Sequence, residues 1–363
     1  MKNHKYRIIG SGYLSLLLGV SLFLIGFLQS NCEDRLWSVI FVVICVLSFL
    51  KVAWLILFPK NSEKTLEIFI KHYYKITIPI SVLYLFISFT VISTDYIGPQ
   101  KDISECKSDS IIRVICGFSN PEDMVITPDN KFFFVSDVGV IGPYVKYASG
   151  SFDFIDLSSY EKIIPKITFE ASSWGEPFCV RKKTDIVNSH GIYLVINNYG
   201  QYQLAVINHS PFESIEMFEL RKSDSAWDMV WKGCIEVPEE YYFNDIALKK
   251  DGLFYASHMY DRDISMQEWL ITTLFKSVSG HVVLWDGSSF NKVVGTEGSG
   301  PNGILLDENS GILYVSYNQG DNLSAYDINS NTKKGSYFIQ SPDNIFIKDN
   351  SIWLTSLDLQ AND

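Results

Sequence analysis

Phe243-Asn244-Asp245-Ile246-Ala247-Leu248 sets polar side chains immediately before a short apolar run, and four other stretches of the chain share that form. They are Pro121-Glu122-Asp123-Met124-Val125-Ile126, Ser189-His190-Gly191-Ile192-Tyr193-Leu194, Pro301-Asn302-Gly303-Ile304-Leu305-Leu306 and Pro342-Asp343-Asn344-Ile345-Phe346-Ile347. Most copies lead through a turn into a second strand-like run: Phe132-Phe133-Phe134-Val135, Leu253-Phe254-Tyr255, Ile312-Leu313-Tyr314-Val315 and Ile352-Trp353-Leu354. Self-similarity at a spacing of roughly 40–70 residues predicts a radial repeat, a β-propeller with one sheet per copy. In such a fold the innermost strand of each sheet starts at the mouth of a central tunnel. Equivalent positions of different sheets therefore converge in space.

The converging set is Glu122, Asp123, Asn244, Asp245, Asn302, Asp343 and Asn344, with His190 among them. An Asp or Asn before a single strand is ordinarily a turn former. Several carboxylates crowded on one axis, however, repel one another unless a cation lies between them. Carboxylate and amide oxygens without thiolates suit a hard cation, and calcium accepts about six to eight such ligands.

The 363 residues carry a net charge of -11, which argues against a nucleic-acid partner. Of six cysteines, Cys32 and Cys45 lie in or beside the apolar N-terminal region, while Cys106, Cys116, Cys179 and Cys234 show no zinc-ligand spacing. An oxidising compartment would allow one disulfide among these four, with a pairing that the spacing leaves open. The glycine-rich stretch at 298–303 precedes a strand instead of opening a helix, so a dinucleotide site is set aside.

Three apolar segments, 8–28, 36–58 and 76–94, predict a transmembrane region over 1–95. The second is interrupted by Lys51 and the third carries Pro79 near its start. Lys2, Lys5 and Arg7 at one flank and Lys60, Lys64, Lys71 and Lys75 at another place both in the cytoplasm. The expectation is a multi-pass membrane protein with a polar linker at 96–120 and a propeller at 121–363, on the extracellular or lumenal side. The stretch 264–275 has helical spacing and reads as an insert, a packed cap or a lid. A propeller must close, and the chain stops at Asp363 soon after the fifth copy. Either a strand near 111–117 helps to close it or the sequence is C-terminally truncated with its last blade incomplete; the second is the reading favoured.

Ser189-His190-Gly191-Ile192, Val206-Ile207-Asn208-His209-Ser210 followed by Ser214-Ile215-Glu216-Met217-Phe218, Phe243-Asn244-Asp245-Ile246, Pro301-Asn302-Gly303-Ile304 and Asp343-Asn344-Ile345 occur in that order. Together they resemble the calcium-dependent paraoxonases, also called arylesterases or lactonases, over about 105–363. The resemblance implies a six-bladed propeller with two Ca2+ ions in its tunnel. Position by position, Glu122, Asn244, Asn302, Asp343 and Asn344 would ligate an upper, catalytic ion, and Asp123, Asp245 and the Ile192 carbonyl a lower, structural one. His190 would be the general base that activates water, with His209 positioning it, and the substrate a small ester or lactone. The sequence departs from the family at Leu357, where a pocket histidine is usual, and around Ser257-His258-Met259. The family's disulfide would pair Cys106 with a cysteine beyond Asp363. Asn322-Leu323-Ser324 is the better glycosylation sequon, since the other, Asn208-His209-Ser210, falls at a tunnel position. Two rival readings are a non-catalytic calcium-binding propeller that acts as a membrane-protein assembly module, and a propeller like the gluconolactonases or strictosidine synthases.

Overall fold

The structure is a computed structural model that describes residues 14, 17, 36–82, 106–111, 113–139, 149–170, 172–182, 185, 187–224, 226–349 and 351–357. The chain divides into two compact units, Met1–Gln100 and Lys101–Ala361. In the first, helix α1 (Leu36–Leu57) is followed by α2 (Pro59–Lys71), which opens on a proline at its first position, where no backbone N–H is required.

Among the described residues no helix is long and apolar enough to cross a membrane. That overturns the expected three spans and the multi-pass placement built on them. The segment at 8–28 and most of 76–94 lie outside the described residues. In the segment at 36–58, side chains are described only from Val46 onward, and Lys51 interrupts that stretch. A membrane crossing needs about 20 consecutive apolar residues, and an apolar run in a sequence does not by itself provide them.

Among the described residues the second unit holds five sheets. The first joins β1 (Pro121–Ile126), β2 (Phe132–Asp137), β3 (Ser151–Asp156) and β4 (Lys162–Ile163). In the second, β5 (Ile167–Phe169) runs parallel to β9 (Trp227–Glu236), beyond which lie β8 (Ser214–Lys222), β7 (Tyr202–Asn208) and β6 (Ser189–Ile196). The third is β10 (Tyr241–Leu248), β11 (Phe254–Asp261), β12 (His281–Trp285) and β13 (Phe290–Lys292). The fourth is β14 (Pro301–Asp307), β15 (Ile312–Tyr317), β16 (Asn322–Asp327) and β17 (Thr332–Phe338), and the fifth is the hairpin β18 (Pro342–Lys348) and β19 (Ser351–Ser356). This is an all-β propeller, but not the six-bladed one expected: four sheets have four or five strands, the fifth has two, and the described residues form no sixth. Residues 113–117 form no strand.

Alternation along the strands explains the stacking. On β7, Leu204 and Val206 pack into a cluster with Phe134, Phe154, Phe218 and Trp231. Their neighbours Ala205 and Ile207 point the other way, into a cluster with Met217, Phe243, Ile246 and Phe254. A strand apolar on both faces must be sandwiched between two sheets. Ala247 and Val282 then meet Ile304, Leu313 and Val315, and Leu305 and Leu323 meet Ile345. Each pair of consecutive sheets thus shares its own dry core. Truncating a buried ring such as Phe134 or Phe154 would cost about 3–5 kcal/mol.

Helix α3 (Met266–Phe275) forms the expected insert, between β11 and β12, and starts on a capping box in which Ser265 and Glu268 satisfy each other's backbone N–H. Among the described residues there are two disulfides, Cys106–Cys116 and Cys179–Cys234. Cys106 is therefore satisfied locally, not by a cysteine beyond Asp363; ten residues of chain suffice to bring its partner within reach. Asn322 lies at the start of β16, with its amide donating to Gly320 O and its Oδ1 accepting from Ser324 and Ser336. The sequon thus sits in a hydrogen-bonded strand.

Candidate functional site

The repeated phrase has one structural meaning. In all five inner strands the pairing register slips at its polar residues: between Pro121 and Asp123, Ser189 and Ile192, Phe243 and Ile246, Pro301 and Ile304, and Pro342 and Ile345. Bulges re-aim side chains. Phe243 and Ile246 share one apolar cluster although three residues apart, which only an inserted residue allows.

The glycines of the phrase permit close approach. A Cβ on Gly191 would lie 2.6 Å from Asn244 O and from the Asp245 Cα and Oδ1, and one on Gly303 would lie 2.3 Å from Asp343 O. Small polar residues of the second strands were not singled out in the sequence, yet they hold the bulges. Ser136 Oγ takes the Asp123 N–H and donates to its carbonyl, Ser257 does the same for Asp245, and Ser316 donates to Gly303 O and Asp343 O. Thr355 donates to Asn344 O. The signal was legible as a recurrent hydroxyl in Val135-Ser136, Ala256-Ser257, Val315-Ser316 and Leu354-Thr355.

Four of the expected residues, Glu122, His190, Asn244 and Asn344, are joined by direct contacts. Glu122 Oε1 lies 3.0 Å from His190 Nε2, and the Asn244 amide lies 3.4 Å from the same nitrogen. The Asn344 amide donates to Glu122 O at 2.9 Å, joining the fifth sheet to the first. Asp123 accepts from the backbone N–H of Met124 and Ile192, and Asp245 from those of Ile246 and Ile304. Each of these two carboxylates so bridges its own sheet to the next. For Ile192, the group engaged is the N–H. Asn302 Oδ1 and Asp343 Oδ1 are buried with no hydrogen-bond partner.

Burial, then the neighbouring charges of Glu122 and Asp343, push the Asp123 carboxyl up to about 7 against its backbone donors. Burial and Glu122 likewise raise Asp343 to about 6, and burial and Asp123 hold Asp245 well above the usual range. For Glu122, burial is outweighed by the facing His190, and its carboxyl lies below the ordinary value. Burial would lower His190, but Glu122, Asp343 and Glu213 together raise it. The described residues hold no cluster of three or more His, Cys, Asp and Glu side chains that could bind a metal. The backbone amides already occupy Asp123 and Asp245, and of the remaining candidate side chains Asn244, Asn302 and Asn344 are amides.

His209 was expected beside His190, and it is: His190 Nδ1 is 2.8 Å from His209 Nε2. Behind it lies a residue the sequence did not announce. His209 Nδ1 is 2.7 Å from Glu213 Oε2, both side chains being about nine-tenths buried. The His209 ring also stacks on Tyr242 at 4.4 Å and 7°. The loop that carries it, between β7 and β8, is pinned by Asn208, which donates to Phe212 O and Ser214 Oγ. Arg181 donates to Ser210 O and pairs with the buried Glu216, which also accepts from Ser214 and Trp231.

Two other positions resolve differently. His258 is a packed ring, edge-on to His281 and Tyr241, whose Nδ1 accepts the Tyr242 N–H. Leu357 is 43% exposed and follows the edge strand β19.

No protein-family model matches the chain, and neither does any curated protein. Similar solved structures include a luciferin-regenerating enzyme (12% identity, TM-score 0.38, 65% of this chain and 69% of that one). They also include a gluconolactonase of Xanthomonas campestris (12%, 0.39, 66% and 70%) and the hydrazine synthase of Kuenenia stuttgartiensis (15%, 0.34, 66% and 55%). Likenesses at this level carry no argument about activity, and the resemblance to paraoxonases rests on this chain's own residues.

Proposed function

We propose that the propeller is a calcium-dependent hydrolase of lactones or aryl esters. The observation that carries this reading is a buried imidazole, His190, whose Nε2 lies 3.0 Å from Glu122 Oε1 and 3.4 Å from the Asn244 amide, side chains contributed by two other sheets. The donor set fits a hard cation. It contains no sulfur, it includes two buried side-chain oxygens without a partner, and its carboxylates hold one another up on the acidity scale. Glu122, Asn244, Asn302, Asp343 and Asn344 would hold one ion, and Asp123, Asp245 and the Ile192 carbonyl a second. When bound, calcium supplies a positive charge that polarises a carbonyl oxygen and favours negative charge on it.

The remaining work falls to the chain. Asn244 and Glu122 both lie within hydrogen-bond distance of His190 Nε2, at 3.4 and 3.0 Å. In its neutral form that nitrogen accepts a proton from a water that attacks the carbonyl carbon. His209 and the ring of Tyr242 hold the imidazole from behind.

The test is hydrolysis of a simple lactone and of phenyl acetate by the purified full chain, with calcium and after chelation. Activity should require calcium. His190→Gln should lower kcat by at least about 10²-fold while calcium binding, read by calorimetry, persists. Hydrolysis that survives chelation, or a calcium-loaded protein that hydrolyses neither substrate, would defeat the proposal; the second result would favour a binding module.

A further inference from the structure

The stretch Ser257-His258-Met259, where the sequence departs from the paraoxonase pattern, sets a methionine beside the axial residues. Strand β11 pairs Tyr260 with Tyr242 and His258 with Phe243, so Met259 is one extra residue without a partner on β10. Such a bulge re-aims the side chain it carries. Here the Met259 thioether sulfur comes within 3.8 Å of the Asn244 amide nitrogen, which is itself 3.4 Å from His190 Nε2. The sulfur thus stands two contacts away from the nitrogen beside which the reacting carbonyl is held.

Its surroundings are not those of a core methionine. Met217 and Met229 have no exposed surface and fill the cores between sheets, whereas Met259 is partly exposed. Its backbone is nevertheless fixed. Ser279 Oγ donates to Met259 O at 2.9 Å, and a Cβ on Gly280 would lie 2.7 Å from that same oxygen, so a glycine is needed for the chain to come so close. Both neighbours are buried rings: Tyr260 stacks on Tyr242 at 5.1 Å and 11°, and His258 lies edge-on to His281. A pinned backbone under an unbranched, polarisable side chain makes a wall with a fixed origin and an adaptable end.

We infer that Met259 is a specificity-determining residue: its thioether is the surface against which the acyl chain of the substrate lies while the ester carbonyl is held beside His190 Nε2. This rests on the hydrolase reading. In esters and lactones alike the acyl chain is bonded directly to the carbonyl carbon, so its first carbons extend from the space beside that nitrogen. The side chains that touch the nitrogen from other sheets, Glu122 and Asn244, are polar and offer an alkyl chain little. The thioether offers dispersion contacts, and more of them as the chain lengthens. The position therefore bears on which ester is taken, by contacts that are made with the substrate and kept through the reaction.

The test compares phenyl acetate with phenyl hexanoate on the full chain in calcium. Met259→Ala should lower the hexanoate-to-acetate ratio of kcat/KM by about tenfold or more, the size of effect that a methylene or two has in an apolar pocket. The loss should appear as a higher KM for the hexanoate, as expected when a contact common to bound substrate and transition state is removed. Met259→Leu, which conserves volume, should keep the ratio within about threefold. Met259 is also its own reporter. In the full chain labelled with 13C at the methionine methyls, the signal that Met259→Leu removes should shift when hexanophenone, an unreactive ketone with the same acyl chain, is added, while those of Met217 and Met229 stay. A Met259→Ala ratio within about threefold of the parent's, an equal loss on both esters, or a Met259 signal that the ketone leaves in place would refute the inference. A chain that hydrolyses neither ester while the ketone still moves the Met259 signal would sink the hydrolase reading and leave the acyl surface standing.

Discussion

Arg181 and Glu216 form the ion pair on which the histidine loop rests, and its removal tests how that loop is held. Their contact is 2.9 Å, and the two side chains are 2% and 0% exposed. Solvent screening can therefore not discount it. Glu216→Gln preserves the outline and one acceptor for Trp231 Nε1, but it takes from the buried Arg181 guanidinium the carboxylate charge 2.9 Å away. Breaking a buried pair in this way costs about 3–5 kcal/mol, and for a unit of this size each kcal/mol lowers Tm by about 2–4 °C. The expected fall is thus about 6–20 °C, read by calorimetry, with the matching loss in urea titrations. Arg181→Met added to Glu216→Gln removes the stranded charge and should return about 2 kcal/mol or more, though not the bond to Ser210 O. Because that bond lies beside His209, the double variant should stay less active than its stability alone would suggest. A cost below about 1 kcal/mol for the single change, or a double variant no more stable than the single, would refute the reasoning.

Gly191→Ala drives a methyl group into the backbone of Asn244 and Asp245 at 2.6 Å, where nothing flexible can give way; about 1–3 kcal/mol of stability should go, and with it calcium binding read by calorimetry. His258 is held down to about 3 by burial first and then by the charge of His281. Its unfolded-state value is higher, so the unfolded chain binds the proton first as pH falls. The penalty is absent above about pH 6.5 and grows below it; at pH 5 it reaches about 2 kcal/mol. His258→Phe should flatten that part of the stability–pH curve, measured by denaturant unfolding, and an unchanged curve would count against it.

The radial architecture could be read from sequence because it rests on local chemistry repeated at intervals. A polar pair before an apolar strand, as in Asn302-Gly303-Ile304, means the same thing wherever it recurs, and five copies place five inner strands around one axis. The neighbourhood of Glu122, His190, Asn244 and Asn344 followed from that placement, whereas the His190–His209 contact was implied only by the family resemblance. The insert helix was legible from its spacing.

What escaped the sequence depends on distance through space. The six blades expected are five sheets among the described residues, because how many sheets fill a circle depends on their packing and not on any one phrase. Among the described residues no helix is long and apolar enough to cross a membrane, although the composition of the N-terminal segments suggested three. Cysteine pairing needs Cα atoms about 5.5–6 Å apart, and only the fold brings Cys179 to Cys234 across 55 residues. Glu213 was one acidic residue on a loop until the turn between β7 and β8 folded it back onto His209. The repeated phrase determined which side chains meet at the axis; the tertiary fold alone decided what stands behind them, because a hydrogen bond is made by atoms within about 3 Å and sequence order does not measure that.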